Sequence, residues 1–248
     1  MKKGRALLRD ETYDTLLGGR LTLIQKKAGY RFSLDALLLA DFVRIQRGER
    51  IVDLGTGNGV IPLLLAFIHP SVQVVGVEIQ EGMVERALRS LALNRMEERV
   101  SIVRGDVCSV HEIFSPQSFE VVVSNPPYRE AKSGRINPDP ERRIARHEIK
   151  GRLGDFIGAA SYLLPEGGRM ALIYSAARMI DLLETMRRQG IEPKRLRLVH
   201  SFEDAGATLV LAEGLKGGGS ELKVMPPLVV YTGRGKYTSE IRAILSGR

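Results

Sequence analysis

The chain has 248 residues, of which 44% are hydrophobic and 27% charged. These are globular values that exclude a disordered or fibrous polypeptide, and a chain of this length buries roughly three-quarters of its unfolded surface without disulfide or metal staples. Its net charge of +8 fits either an anionic partner or a basic surface that only maintains solubility.

The chain opens on a basic stretch. Residues 1–31 carry a net charge of +5, residues 32–124 a net of −4 and residues 125–248 a net of +7, which suggests an acidic middle handling a small ligand between parts that meet a polyanion. Met1-Lys2-Lys3 has no apolar core behind it and does not read as a secretory leader. The alternation of Leu21, Leu23 and Gln25 with Thr22, Ile24 and Lys26, followed by Gly29, predicts a small hairpin. Ser33 is placed to cap a helix through Leu34, Leu37, Leu38 and Phe42. Residues 1–49 are therefore expected to form an N-terminal extension packed on a core domain spanning 50–248.

From residue 50 onward, short β-branched runs alternate with helical patterns, the signature of a parallel sheet covered by helices. The predicted strands are Arg50–Leu54, Val72–Val77, Val100–Val103, Phe119–Val123, Arg169–Tyr174, Leu196–His200 and Thr208–Ala212. Met83–Leu93 and Met179–Met186 carry apolar residues at helical spacing. Gly167-Gly168 and Gly190 mark places where helices should stop. Only Ser201–Ala207 separates the last two of these strands, too few residues for a crossover helix, so they should pair antiparallel. Gly217–Ser220 reads as a flexible loop and Pro227–Tyr231 as a further short strand. The longest apolar run, Val60–Ile68, is nine residues with Pro62 inside it, against the about 20 a bilayer requires, so no membrane span is expected. The single Cys108 excludes an internal disulfide and a cysteine-based zinc site, no metal is expected, and a cytoplasmic setting is the default.

Ile51-Val52-Asp53-Leu54-Gly55-Thr56-Gly57-Asn58-Gly59 places a glycine-rich turn between a buried strand and a helix. A dinucleotide site would show Gly-x-Gly-x-x-Gly, but here the third glycine comes one residue early. Asp53 is ill-suited to a pyrophosphate and well suited to a ligand bearing an ammonium and a sulfonium. Glu78, about twenty residues further at the end of the second strand, can take both hydroxyls of a ribose. Asp106, just past the third strand, is placed to accept from an adenine amine. A purely structural strand-to-helix turn with two surface acids is the alternative.

This arrangement resembles the S-adenosylmethionine-dependent methyltransferases of the Rossmann-like class. The resemblance implies an α/β fold with a seven-stranded, mostly parallel sheet, an antiparallel last strand and helices on both faces. It also implies that Asp53, Gly55 and Gly57 line the methionine end, Glu78 the ribose and Asp106 the adenine, with Thr56, Asn58, Ile79, Val107 and Asn125 completing the cofactor pocket.

The fourth strand ends in Ser124-Asn125-Pro126-Pro127-Tyr128. The prolines fix the backbone and leave carbonyls without competing N–H groups. A planar amine is a poor nucleophile because its lone pair is delocalised. Acceptance of its two hydrogens by Asn125 and the Pro126 carbonyl would give the nitrogen pyramidal character and aim that lone pair at a sulfonium methyl. Tyr128 can stack on the planar substrate. The motif resembles that of the amino methyltransferases, which act on adenine N6, cytosine N4, guanine N2 or glutamine N5.

Over the whole chain, the sequence resembles one family, the bacterial tRNA adenine N6-methyltransferases that modify the adenine beside the anticodon of a valine tRNA. The resemblance is carried by Leu17–Leu21, Gly29–Ala40, Asn125–Tyr128, Ile144–Glu148 and Pro226–Tyr231. It implies that Phe32 to Asp35 close over the methionine end of the cofactor. The basic stretch 129–150 reads as a loop at the mouth of the site, its Arg129, Lys132, Arg135, Arg142, Arg143 and Arg146 gripping phosphates, with His147 placed to stack on a base and Lys26 and Lys27 adding N-terminal cations. Three rivals remain: a protein glutamine N5-methyltransferase, an rRNA guanine N2-methyltransferase, and a non-enzymatic RNA-binding protein on a vestigial cofactor fold.

Overall fold

The structure, a computed structural model, describes residues 7–28, 34–128 and 152–247. Phe32 and the basic residues Arg129, Lys132, Arg135, Arg142, Arg143, Arg146 and His147 lie outside them.

The central sheet is built from β3 (Arg50–Leu54), β4 (Gln73–Glu78), β5 (Val100–Arg104), β6 (Val121–Ser124), β7 (Arg169–Ser175), β8 (Ile191–His200) and β9 (Ala207–Lys216). In space the order is β5-β4-β3-β6-β7-β9-β8. β9 is antiparallel to both its neighbours, as expected from the short link between β8 and β9. The sheet is nevertheless larger than seven strands, because β10 (Lys223–Val224) and β11 (Leu228–Val229) each add a short parallel pairing to the outer side of β8. β8 also starts five residues before the predicted Leu196, since Glu192-Pro193-Lys194-Arg195 looks like a loop. The ladder shifts register between Pro193 and Arg195, an irregularity of the kind that lets a proline sit in a strand. The predicted strand at Pro227–Tyr231 is divided, with β11 ending at Val229 and β12 (Tyr231–Gly233) turning away to pair with β13 (Lys236–Tyr237).

Helices cover both faces. α1 (Leu34–Phe42), α2 (Val60–Ile68), α3 (Glu81–Asn94) and the last helix, α6 (Ser239–Ser246), share one apolar layer with the sheet. α4 (Leu153–Leu163), α5 (Met179–Arg188) and a tight 3-10 turn at Val107–Glu112 form the other. Pro62 stands third in α2, within the first turn, where no intrahelical N–H bond is lost.

In the N-terminal segment, Leu21–Lys26 (β2) pairs with the preceding Glu11–Leu16 (β1) around a turn at Leu17–Gly19. β2 is buried on both faces, at Leu21, Leu23, Ile24 and Gln25. Side chains of α3 close the free edge of β2. Thr22 N donates to Asn94 Oδ1 at 2.9 Å, Ile24 N to Ser90 Oγ at 3.0 Å, and Asn94 Nδ2 returns a bond to Thr22 O at 2.7 Å. Exposed strand edges invite foreign pairing, and this edge is occupied. Arg89 of α3 grips the buried Glu11 carboxylate through two nitrogens, which holds that carboxyl below its usual range.

Candidate functional site

Parallel register brings the candidate residues to one edge of the sheet. Leu54 lies opposite Val77 on β4 and Ser124 on β6, and Glu78 lies opposite Arg104 on β5. The segments that follow these strand ends, carrying Asp106, Glu78, Gly55 and Asn125, therefore sit side by side across four neighbouring strands. At about 4.8 Å per strand the row is about 15 Å long, the carboxyl edge at which open α/β sheets bind ligands.

The glycine turn has specific backbone demands. Gly55 has φ +74°, and a Cβ there would stand 3.0 Å from the Phe156 ring. Gly59, the early third glycine, has φ +78° and would place a Cβ 3.0 Å from that of Ala87. Its position is set by the close approach of the glycine turn to α3. The amides of Gly55 and Thr56 both donate to Val77 O at 2.9 Å, tying the turn to β4.

Asp53 is fully buried, and among the described residues neither of its carboxylate oxygens completes a hydrogen bond. Burial, with a smaller push from the Glu78 carboxylate, raises its carboxyl to about 7, against an opposing pull from the neighbouring Thr56. A desolvated carboxylate without donors is costly unless a cation or N–H group meets it. Glu78 is buried but supported: its Oε2 accepts from Gly57 N at 2.9 Å and its Oε1 from Gln80 N at 2.8 Å. Burial still raises its carboxyl, and the backbone amides hold the rise down. Each oxygen retains a lone pair for a further donor. Asp106 Oδ1 accepts from Cys108 N at 2.9 Å and so caps the 3-10 turn; Val107 is buried and Ile79 half-buried.

Asn58 is buried, with its amide turned away into the N-terminal hairpin. Its Nδ2 donates to Gln25 Oε1 at 3.1 Å, and Gln25 in turn donates to Asp14. A buried polar chain thus locks the glycine turn to β1 and β2. Lys26 and Lys27 follow Gln25 directly. Lys27 is exposed, with Nζ on Arg9 O at 2.8 Å.

At the other end of the row, the Ser124 hydroxyl donates to Leu54 O at 2.8 Å, fixing the start of the Asn-Pro-Pro-Tyr segment to the end of β3. The Tyr128 hydroxyl lies 2.6 Å from Asn125 Oδ1 and 3.0 Å from Asp35 Oδ2. Its ring meets Tyr174 edge to face at 5.5 Å. Arg178 lies over the Tyr174 ring and donates to Tyr128 O at 3.5 Å. Sequence reasoning singled out none of Gln25, Tyr174 and Arg178. The available signal for the last two was an aromatic and a cation around the end of β7, directly beside the motif strand.

The family model for the methyltransferase small domain matches residues 32–188. A Porphyromonas gingivalis protein named tRNA1(Val) (adenine(37)-N6)-methyltransferase is 38% identical over 167 residues, covering 66% of this chain and 65% of that one. The chain thus spans just under two-thirds of that relative. A Bacteroides thetaiotaomicron protein of the same name is 27% identical over 202 residues, covering 75% of this chain and 83% of that one. Among solved structures, a predicted O-methyltransferase from Agrobacterium tumefaciens superposes with a TM-score of 0.71 at 26% identity, over 86% of this chain and 96% of that one. A Streptomyces coelicolor geranyl diphosphate C-methyltransferase, solved with S-adenosyl-L-homocysteine, shares the fold at a TM-score of 0.54 and 14% identity, over 73% of this chain and 78% of that one. The chain belongs to the methyltransferase small domain family.

Proposed function

We propose that the protein is an S-adenosylmethionine-dependent N-methyltransferase acting on the exocyclic N6 amine of an adenine in tRNA. The observation that carries this reading is the Asn-Pro-Pro-Tyr segment at the end of β6, on the strand next to the one that bears the buried Asp53 carboxylate lacking a donor. The names of the curated relatives support the tRNA substrate.

The cofactor fits the chain's own groups. Asp53 offers two unpartnered oxygens to an ammonium, Glu78 keeps lone pairs for ribose hydroxyls, and Asp106 faces the adenine end of the row. When bound, S-adenosylmethionine supplies a methyl group on a sulfonium, with a neutral sulfide leaving. The residues supply position and electrostatics. Asn125 Oδ1 and Pro126 O accept the amine's two hydrogens, which draws the nitrogen lone pair out of conjugation and favours the positive charge that develops as the new N–C bond forms. The Ser124–Leu54 bond and the two prolines hold these acceptors in fixed register with the glycine turn, so little reorganisation is needed. The methylated nitrogen is acidic and loses its proton to water, so no protein base is required.

Residues 129–150, with Lys26 and Lys27, are proposed to grip phosphates around the target base. No helix among the described residues is long and apolar enough to cross a membrane, and a tRNA substrate places the reaction in the cytoplasm. The test is nucleoside mass spectrometry of total tRNA from cells lacking this protein. Loss of N6-methyladenosine is the expected result; an unchanged tRNA profile with loss of methylglutamine from a protein would move the substrate to a peptide amide.

A further inference from the structure

The Tyr128 hydroxyl stands 2.6 Å from Asn125 Oδ1 and 3.0 Å from Asp35 Oδ2. A phenol has one proton and both neighbours are acceptors, so only one of these contacts is a hydrogen bond at a time. The shorter one falls on the oxygen that the amine needs under the function proposed above, on which this inference rests. A donor seated there draws away the electron density that should polarise the amine. The rest of Tyr128 has little freedom to retreat, since its ring is set edge-on against Tyr174 and its carbonyl is held by Arg178. What can change is the direction of the O–H bond.

We propose that Asp35 is a positioning residue for methyl transfer: it accepts the hydrogen bond of the Tyr128 hydroxyl when the amine arrives, and so releases Asn125 Oδ1 to the substrate. The exchange moves one hydrogen bond and breaks no covalent bond. It also gives a physical reason for placing an acid in the first turn of α1, 93 residues from the motif it serves, in addition to the favourable helix-end charge.

The test is a mutant cycle on the full chain with unmodified tRNA at saturating cofactor. Asp35→Ala should lower kcat about tenfold, the equivalent of one hydrogen bond left in the wrong place, while cofactor Kd by calorimetry stays within about twofold. Asp35→Asn keeps an acceptor oxygen and should recover most of the loss. In the Tyr128→Phe background no hydroxyl remains to be displaced, so adding Asp35→Ala should change kcat by less than about twofold. An equal loss in both backgrounds, or a cofactor Kd that rises tenfold, overturns the proposal by making Asp35 a structural or cofactor contact. A second readout does not depend on activity. With tyrosine labelled at Cζ with carbon-13, the Tyr128 signal, assigned by its disappearance in Tyr128→Phe, should move in Asp35→Ala; an unmoved signal overturns the proposal. If the wild-type protein methylates no tRNA, the substrate reading fails, and that signal still decides whether Asp35 accepts the Tyr128 hydrogen bond.

Discussion

Replacing Asp53 by Asn should stabilise the ligand-free protein while damaging its cofactor site, and the gain should depend on pH. The unfolded carboxyl titrates near 3.8, whereas burial raises the folded one to about 7. Between those values the folded state holds a proton that the unfolded state has lost, so stability falls as pH rises, and it levels off above about 7. At 1.36 kcal/mol per pKa unit the full penalty approaches roughly 4 kcal/mol, of which about 2–3 kcal/mol develops between pH 5 and pH 8. The amide introduced by Asp53→Asn would not titrate. It has its own unmet hydrogen bonds at the same buried position, a cost of about 1–3 kcal/mol that is the same at both pH values. The variant's advantage over wild type should therefore grow by about 2–3 kcal/mol from pH 5 to pH 8, about 5–10 °C in Tm for a chain of this size. Glu78, whose carboxyl burial also raises, is common to both proteins and largely cancels. The assay is thermal unfolding of both proteins without cofactor at the two pH values. An equal difference at pH 5 and pH 8 would show that Asp53 does not titrate in this window and that its unpartnered burial has been misread.

Asn125→Ala should reduce turnover by about a hundredfold or more with little change in cofactor affinity, because the lost acceptor acts mainly in the transition state; single-turnover kinetics alongside calorimetry separate the two, and wild-type turnover would make Asn125 structural. Glu78→Ala should weaken S-adenosylmethionine binding by about 1–3 kcal/mol, through loss of a charged ribose acceptor and of the carboxylate that anchors Gly57 and Gln80; unchanged calorimetric affinity would remove it from the ribose site. Gln25→Ala takes the acceptor from the buried Asn58 amide and should cost about 1–3 kcal/mol, read as a drop in Tm; a variant that melts like wild type would show that the hairpin does not brace the turn. Replacing Arg142 and Arg143 together with Ala should flatten the slope of log tRNA affinity against log salt by one to two units, since each phosphate contact contributes about 0.7 to 0.9; an unaltered slope would take those arginines off the RNA.

The core sheet was legible because a buried parallel strand is a short β-branched run, and Ile51–Leu54 and Val121–Val123 are such runs. Where polar residues sit inside the sheet the reading failed. Glu213 is buried on β9 with Arg195 of β8 at 3.0 Å, and the same guanidinium stacks on Phe42, so two charges that look like solvent-facing loop residues satisfy each other in the interior. The candidate site was legible for a related reason. Asp53, Glu78, Asp106 and Asn125 each terminate or follow an apolar run, and a parallel sheet brings such ends together whatever lies between them. The bracing of the site was hidden. Gln25 with Asn58, and Asp35 with Tyr128, are contacts across 33 and 93 residues of sequence, and no local spacing announces them. Asn58, read from its place in the glycine turn as a cofactor residue, also bonds to the hairpin through its Nδ2.

Under the proposed function, this chain moves a methyl group from S-adenosylmethionine to an exocyclic amine held at Asn125. The most direct measurement incubates the protein with S-adenosylmethionine carrying a carbon-13 methyl and unmodified valine tRNA, then digests the RNA for nucleoside mass spectrometry and quantifies S-adenosylhomocysteine. Labelled N6-methyladenosine and S-adenosylhomocysteine are expected in equal amounts, both formed about a hundredfold or more slowly by Asn125→Ala. Label on a ribose or phosphate oxygen, or on a ring carbon, would contradict the proposed function, because neither transfer has a use for two carbonyl acceptors around a planar amine.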